Sequence, residues 1–387
     1  MKKKIAILGS TGSVGCSTLS VVQQHPEKYE VFALTAATNV EKMLAQCLQF
    51  APKVAVMAEE QAAEQLAQAL QAKGSATNVQ GGQQALVDLT QQQSIDAVMV
   101  AIVGAIGLEP SLAAVKSGKQ VMIANKEPLV MAGNLFMAEA KKSGAQILPI
   151  DSEHNAIFQC LPYPVVEKKH IRRLILTASG GPFLGRQWQS LDAVTPEQAI
   201  AHPNWSMGPK ISVDSATMMN KGLELIEATH LFALSADKID VMIHPQSVIH
   251  SMVEYIDGSH LAQLGSPDMC IPIAHSLAFP ERIESGAQTL DLTRIANLNF
   301  QEPNWPEIPC LQLAKQVALA GGAAPIVMNA ANEIAVDQFI NKAIGFTEIY
   351  TLIDKVVNSV DISDPQSIDD VLAIDIQARK QTIELIH

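Results

Sequence analysis

The sequence predicts an α/β fold: a doubly wound parallel sheet at the N-terminus, a central α+β domain and a C-terminal helical bundle. Three observations carry this. Short apolar runs alternate with longer amphipathic ones through the first 150 residues. A Gly-rich loop follows the first of those runs, and after residue 309 only helix-like segments remain.

The expected strands of the first region are Lys4–Leu8, Val31–Thr35, Val54–Met57, Ala97–Val100, Val121–Ala124 and Ile147–Ile150. Helices expected between them include Val40–Phe50, Glu59–Gln71 and Gln83–Gln92. Strand and helix alternating at this spacing imply βαβ units. The pattern changes at Asp151. Arg172–Thr177 reads as a strand, while Ser247–Tyr255 and His260–Leu264 flank Asp257-Gly258, a hairpin signal. Residues 280–309 contain four prolines and little periodicity, as in an extended linker. Cys310–Ala320, Ala324–Ile340, Thr347–Val357 and Ile368–Ile386 then follow as helices. The resulting division is a cofactor domain at 1–150, a catalytic domain at 151–279, the linker at 280–309 and a helical domain at 310–387.

A chain of 387 residues with 48% apolar and 17% charged side chains has ample core for two or three domains. A net charge of −12, with no Lys/Arg cluster, argues against nucleic acid as a partner. Lys2-Lys3-Lys4 does not open a signal peptide, because Gly-Ser-Thr-Gly follows Leu8. The longest apolar stretch, Ala97 to Leu108, is too short to span a membrane. Five scattered cysteines without CxxC spacing suit a reducing cytoplasm rather than a disulfide framework.

The loop Gly9-Ser-Thr-Gly12-Ser-Val-Gly15 leaves a strand and opens a helix. Its spacing lets backbone N–H groups approach a pyrophosphate, which makes the N-terminal domain Rossmann-like. At the end of the second strand stands Thr35-Ala-Ala-Thr38-Asn39, with no carboxylate to hold a ribose 2′-hydroxyl and no Arg. The missing acid favours NADPH.

Residues 202–224 are the densest chemistry in the chain. They gather His202, Trp205, three Ser, two Lys and Glu224, and run into a helix that sets Asn220 and Glu224 one turn apart. Such a set suits a small anionic, oxygen-rich ligand; the alternative is a polar loop capping a helix. Lys221, Asn220 and Ser215 are phosphate-donor candidates, and Gly222 costs about 1 kcal/mol in a helix unless close ligand approach requires it. Trp205 and Met207 suit a water-excluding lid, or core packing. Ser179-Gly180-Gly181 closes a strand either as an anion nest or as a plain turn. Asp151-Ser152-Glu153 ends another strand. If the chain is still extended there, Asp151 and Glu153 point the same way; otherwise they cap a helix beginning near His154. With Glu224 they form three hard oxygen donors, suited to Mg²⁺ or Mn²⁺ rather than zinc. Asn125-Lys126-Glu127 puts a lysine at the same sheet edge, unless that lysine is simply solvated. His244 and His250 read as structural, and Met218-Met219 as core.

Read together, these segments resemble the 1-deoxy-D-xylulose 5-phosphate reductoisomerases, NADPH enzymes of the non-mevalonate isoprenoid route. The matching pieces are GSTGSVG (9–15), ANKEPLVMAG (124–133), PIDSEHNAIFQCL (149–161), SGGPF (179–183), HPNWSMG (202–208), KISVDSATMMNKGLELIEA (210–228) and IHPQSVIHSMVEYIDGS (243–259). The resemblance implies a divalent ion (Mg²⁺, Mn²⁺ or Co²⁺) on Asp151, Glu153 and Glu224. It implies substrate phosphate on Ser179, Ser215, Asn220 and Lys221, with His202 also in the substrate site. Ser152 and Lys126 would meet the substrate's hydroxyl and carbonyl end. Trp205 and Met207 would sit on a flap, and Met269 by the nicotinamide. Cofactor contacts fall on Thr11, Gly12, Ser13, Val14, Asn39, Asn125, Glu127 and Gly208. Where many members carry Gly and then Lys or Arg before the matching Asn, this chain has Ala37 and Thr38.

The implied reaction isomerises 1-deoxy-D-xylulose 5-phosphate and reduces the product to 2-C-methyl-D-erythritol 4-phosphate. It implies a homodimer working in the cytoplasm, with a phosphorylated sugar as partner and neither nucleic acid nor membrane. Two other readings remain open from the residues: a semialdehyde-type dehydrogenase with a Cys nucleophile, and a nucleotide-binding sensor without catalysis.

Overall fold

The computed structural model describes residues 1–162, 167–201, 203, 205, 207–359 and 364–386. The chain divides into two compact units. The first comprises Met1–Pro128, Phe136–Ser152 and Asp268–Gln288; the second comprises Leu129–Leu135, Glu153–Pro267 and Thr289–His387.

In chain order the first elements are β1 (Lys3–Leu8), α1 (Ser13–Gln24), β2 (Tyr29–Ala36), α2 (Val40–Phe50), β3 (Val54–Met57), α3 (Glu60–Ala72) and β4 (Asn78–Gly81). There follow α4 (Gln83–Gln91), β5 (Ala97–Val100), α5 (Leu108–Lys116), β6 (Gln120–Ile123), α6 (Glu127–Ser143), β7 (Gln146–Pro149) and α7 (Ser152–Cys160). The seven strands form one sheet in the order β4-β3-β2-β1-β5-β6-β7, every pairing parallel. Helices cover both faces of such a sheet, so its central strands are unbroken apolar runs. Val54–Met57 and Ala97–Val100 are buried at every position, which is why they were legible. β4 was not. Asn-Val-Gln-Gly has one apolar residue, and this edge strand is held by backbone pairing to β3.

The order reverses between β1 and β5, and ligands of doubly wound sheets bind in the crevice at such a switch point. Three loops used below leave the carboxyl ends of β1, β6 and β7.

The second unit is built on β8 (Ile171–Ala178), α8 (Pro196–Ile200), α9 (Pro209–Ala216), α10 (Met219–Leu231), β9 (Ile239–Ile243), β10 (Ile249–Tyr255) and β11 (His260–Leu264). The sheet order is β11-β10-β8-β9, antiparallel except for β8 with β9, as the hairpin signal led one to expect. After α11 (Cys270–Ala278), which belongs to the first unit, residues 280–309 hold little regular structure among those described: α12 (Leu292–Ile295) and one 3₁₀ turn. Helices α13 (Pro309–Ala320), α14 (Ala324–Ile340), α15 (Glu348–Val357) and α16 (Ile368–Glu384) complete the chain. α14 is buried on nearly all sides, and the core around it gathers Met219, Leu223, Val317, Phe339, Phe346 and Ile353. No described helix is long and apolar enough to cross a membrane.

α10 corrects one expectation. A Cβ on Gly222 would stand 2.4 Å from the Cβ of Ala314 on α13. Glycine is there so that two helices can approach, not so that a ligand can.

Candidate active site

The glycine loop is shaped by its neighbours' backbone. Gly9 has φ +81°, and a Cβ there would lie 2.6 Å from the Ala101 carbonyl oxygen beyond β5. A Cβ on Gly15 would fall 2.4 Å from the Gly9 carbonyl oxygen, so α1 can begin this close to β1 only without a side chain. Buried Ser10 ties the loop down, its hydroxyl lying 2.7 Å from Gln46 Oε1 and 3.1 Å from the Thr35 carbonyl. Gly12 occupies the N-cap of α1 with no side-chain cap and no acid in the first turn. The helix therefore presents backbone N–H groups and the positive end of its dipole, beside the accessible Thr11, Gly12, Ser13 and Val14. This cradle fits a pyrophosphate.

At the end of β2, Ala37, Thr38 and Asn39 are exposed. Asn39 caps α2, its Oδ1 accepting from the Lys42 amide at 3.0 Å, and Lys42 Nζ donates to the Thr11 carbonyl at 2.7 Å. Sequence reading passed over Lys42, because an exposed first-turn lysine carries no motif.

Buried Asn125 follows β6, donating to the Gly104 carbonyl (3.0 Å) and accepting from the Glu127 amide (3.1 Å). It clasps two loops of the sheet edge together. Lys126 is not solvated. It is 6% exposed, and its Nζ lies 2.9 Å from Asp151 Oδ2 past the end of β7. Met269, half-buried, stands at the N-cap of α11 in the same unit as the glycine loop.

The chain is not extended through Asp151-Ser152-Glu153. α7 begins at Ser152, so Asp151 directly precedes a helix and Glu153 lies in its first turn. Within the second unit Glu153 meets α10. Lys221 Nζ lies 2.9 Å from Glu153 Oε1 and also donates to Glu224 Oε2, while Asn220 Nδ2 donates to Glu224 Oε1. The carboxylate oxygens of Glu153 and Glu224 come within 4.8 Å of one another. Lys221 and Glu224 are 4% and 1% exposed, so burying these charges depends on their pairing. A further pair lies beneath them. His154 Nε2 is 2.9 Å from the Glu224 carbonyl oxygen, and its Nδ1 is 3.2 Å from Glu227 Oε2. His154 thus fixes α10 against α7. Sequence reading missed both residues, since neither spacing nor motif marks a buried brace.

The Ser179–Gly181 turn closes β8. Gly181 (φ +68°) donates its N–H to Ser179 Oγ at 3.1 Å, and its bare Cα passes the Ser215 carbonyl where a Cβ would come to 2.7 Å. Ser215 lies in the last turn of α9, and a tight turn through Met218, left-handed at φ +63°, leads to Asn220 and Lys221 on α10. Trp205 lies 6.0 Å from His250, ring to ring. Burial lowers the His250 pKa, and the nearby Glu153 charge and hydrogen bonds to the Ser266 and Gly265 backbone oppose that effect. His244 is structural as expected, 2.9 Å from the Asn299 carbonyl oxygen and accepting from the Val248 amide. Gly208 N-caps α9, and Met207 is half-buried. His202 lies outside the described residues.

A glycine cradle at the switch point of a parallel sheet defines a dinucleotide-binding α/β protein, and the buried acid–lysine set of the second unit marks such a protein as an enzyme. Residues 5–133 match the family model of 1-deoxy-D-xylulose 5-phosphate reductoisomerase. Residues 147–232 and 264–381 match models of that enzyme's C-terminal domains. The 1-deoxy-D-xylulose 5-phosphate reductoisomerases of Burkholderia multivorans and Burkholderia cenocepacia are each 54% identical over 386 residues, covering 100% of this chain and 97% of theirs. A crystal structure of DOX-P reductoisomerase in complex with NADPH, fosmidomycin and magnesium is 46% identical, with TM-score 0.95, over 99% of this chain and 98% of that one. The enzyme from Zymomonas mobilis, in complex with NADPH, is also 46% identical, with TM-score 0.93, over the full length of both chains. The chain belongs to the 1-deoxy-D-xylulose 5-phosphate reductoisomerase family.

Proposed function

We propose that this chain converts 1-deoxy-D-xylulose 5-phosphate into 2-C-methyl-D-erythritol 4-phosphate, with Asp151, Glu153 and Glu224 holding the divalent ion. It is an NADPH- and metal-dependent oxidoreductase. The observation that carries the residue assignment is the Glu153–Lys221–Glu224 set, two carboxylates converging on one buried ammonium. The donor chemistry fits a hard ion: three carboxylates and no thiolate. When bound, NADPH supplies hydride, and the ion polarises the substrate's ketone and adjacent hydroxyl as a Lewis acid.

The protein's own groups position and enclose. Glu153 and Glu224 are oriented by Lys221, Asn220 and the His154–Glu227 brace, and Asp151 by Lys126. In this reading Lys126 and Ser152 contact the substrate's carbonyl and hydroxyl end. Ser179, Ser215, Asn220, Lys221 and His202 anchor the phosphate, giving remote binding energy that orients the reacting carbons. Trp205 and Met207 close over the substrate and exclude water. Thr11, Gly12, Ser13, Val14, Ala37, Thr38, Asn39, Asn125, Glu127 and Gly208 receive the cofactor.

Burial works against a nucleophilic role for four of the five cysteines. Burial raises the thiols of Cys47, Cys160 and Cys270 to about 11, and Cys310 higher still. We also read residues 1–150, 151–279 and 310–387 as the cofactor, catalytic and helical domains, and the assembly as a cytoplasmic homodimer. The free cysteines suit a reducing compartment. Sedimentation velocity tests the assembly.

The decisive assay follows NADPH oxidation with 1-deoxy-D-xylulose 5-phosphate. Turnover is expected with Mg²⁺ or Mn²⁺ and is abolished by chelation. Cofactor oxidation that ignores chelator sinks the reading.

A further inference from the structure

We propose that Lys42 sets the cofactor preference of this enzyme, its ammonium holding the 2′-phosphate of NADPH. The proposal rests on the glycine loop being the dinucleotide site and names the residue that reads the adenosine end.

In a doubly wound sheet the adenosine ribose lies at the carboxyl end of the strand next to the glycine loop's own strand, here β2 beside β1. That end is Ala37-Thr38-Asn39, exposed and without charge. A phosphate bound there needs a cation, and Lys42 is the one Lys or Arg between Tyr29 and Phe50. Its location answers the need. It stands in the first turn of α2, exposed, and reaches back so that Nζ donates to the Thr11 carbonyl at 2.7 Å. The ammonium therefore sits between the glycine loop and the end of β2. Three N–H donors leave two beyond the Thr11 bond, directed by a side chain already ordered. The α2 N-terminus adds its dipole, and lysine serves as a point charge for phosphate. Glu41, next along α2, is the neighbouring carboxylate. A ribose 2′-hydroxyl reader there would favour NADH instead.

The test is titration calorimetry of the full-length protein, without metal or substrate, using 2′,5′-ADP and ADP as probes. For Lys42→Ala, 2′,5′-ADP affinity is expected to fall about tenfold, the scale of one charge-assisted contact, while ADP affinity holds. Lys42→Arg should keep most of the affinity, and adding Thr38→Lys to Lys42→Ala should restore much of it. In steady-state assays the KM for NADPH should rise with kcat little changed. Equal losses for both probes mean that Lys42 only shapes the loop through Thr11, and overturn the proposal. So does an unchanged 2′,5′-ADP affinity, or a larger loss in Glu41→Gln. If the unsubstituted protein binds neither probe, the glycine-loop reading itself fails.

Discussion

Glu224 shows how one side chain is fitted to a charge. It is 1% exposed, accepts from Asn220 and Lys221, and has its own backbone carbonyl held by His154. Glutamine keeps the shape and removes the anion, so Glu224→Gln should bind NADPH as before. If Glu224 holds the ion, as proposed, turnover should drop by about a hundredfold or more, because one anionic ligand would be lost from an ion worth several kcal/mol to the transition state. Steady-state rates beside cofactor titration check this, and near-normal turnover would remove Glu224 from the ion's ligands. Gly222 is a residue of the opposite kind. With its Cβ position 2.4 Å from Ala314, Gly222→Ala should destabilise by about 1–3 kcal/mol despite alanine's better helix propensity. Ala314→Gly in the same chain should recover part of that loss in urea denaturation. Recovery distinguishes a steric clash from a lost ligand contact.

At the scale of elements, the β1–α1 junction depends on Gly15, where any Cβ meets the Gly9 carbonyl at 2.4 Å and the Ser10 Cα at 2.5 Å. Backbone cannot yield as a side-chain tip can. Gly15→Ala should therefore tilt α1 away from β1 and weaken both NADPH and ADP binding, unlike the selective loss expected at Lys42. Calorimetry with the two nucleotides separates these outcomes. The same junction shows what a sequence discloses. Val54–Met57, Ala97–Val100, Val40–Phe50 and Ala324–Ile340 could be read to the residue: the two strands are unbroken apolar runs, Val40–Phe50 is amphipathic, and Ala324–Ile340 is a long, largely apolar stretch that follows Gly321-Gly322. β4 could not, since backbone pairing selects no side chains. Nor could the turn at Met218, left-handed at a residue that seldom adopts that conformation. In the site, the chemical types were legible: Asp151, Glu153, Lys221 and Glu224 announce an ionic centre. Their pairing was not. That Lys221 joins Glu153 to Glu224, and that His154 and Glu227 brace α10, depends on two helices 70 residues apart being packed together.

At the scale of the whole molecule, histidines whose pKa burial lowers make stability depend on pH in both units. Burial lowers His230, whose ring packs against Gly133 in the second unit, to about 4; it does the same to His275 in the first. In an unfolded chain a histidine titrates near 6.5. Between these values the unfolded state binds more protons than the folded one, so stability is full above about pH 6.5 and falls as pH drops toward 4. Paired carboxylates act lower. Glu197, held at about 2 by its hydrogen bond with Lys342, loses its contribution only as pH falls from its ordinary value near 4.5 toward 2. The two units can be followed separately, because all three tryptophans (Trp188, Trp205 and Trp305) lie in the second. The fluorescence midpoint in urea is expected to decline from pH 6.5 to 4, and His230→Gln should flatten that decline while His275→Gln leaves it in place. Far-UV circular dichroism, which sees both units, should respond to both substitutions. A fluorescence midpoint equally steep in His230→Gln would mean that the acid lability of the second unit lies in its other titrating groups, His250 or the carboxylates, not in the His230 imidazole.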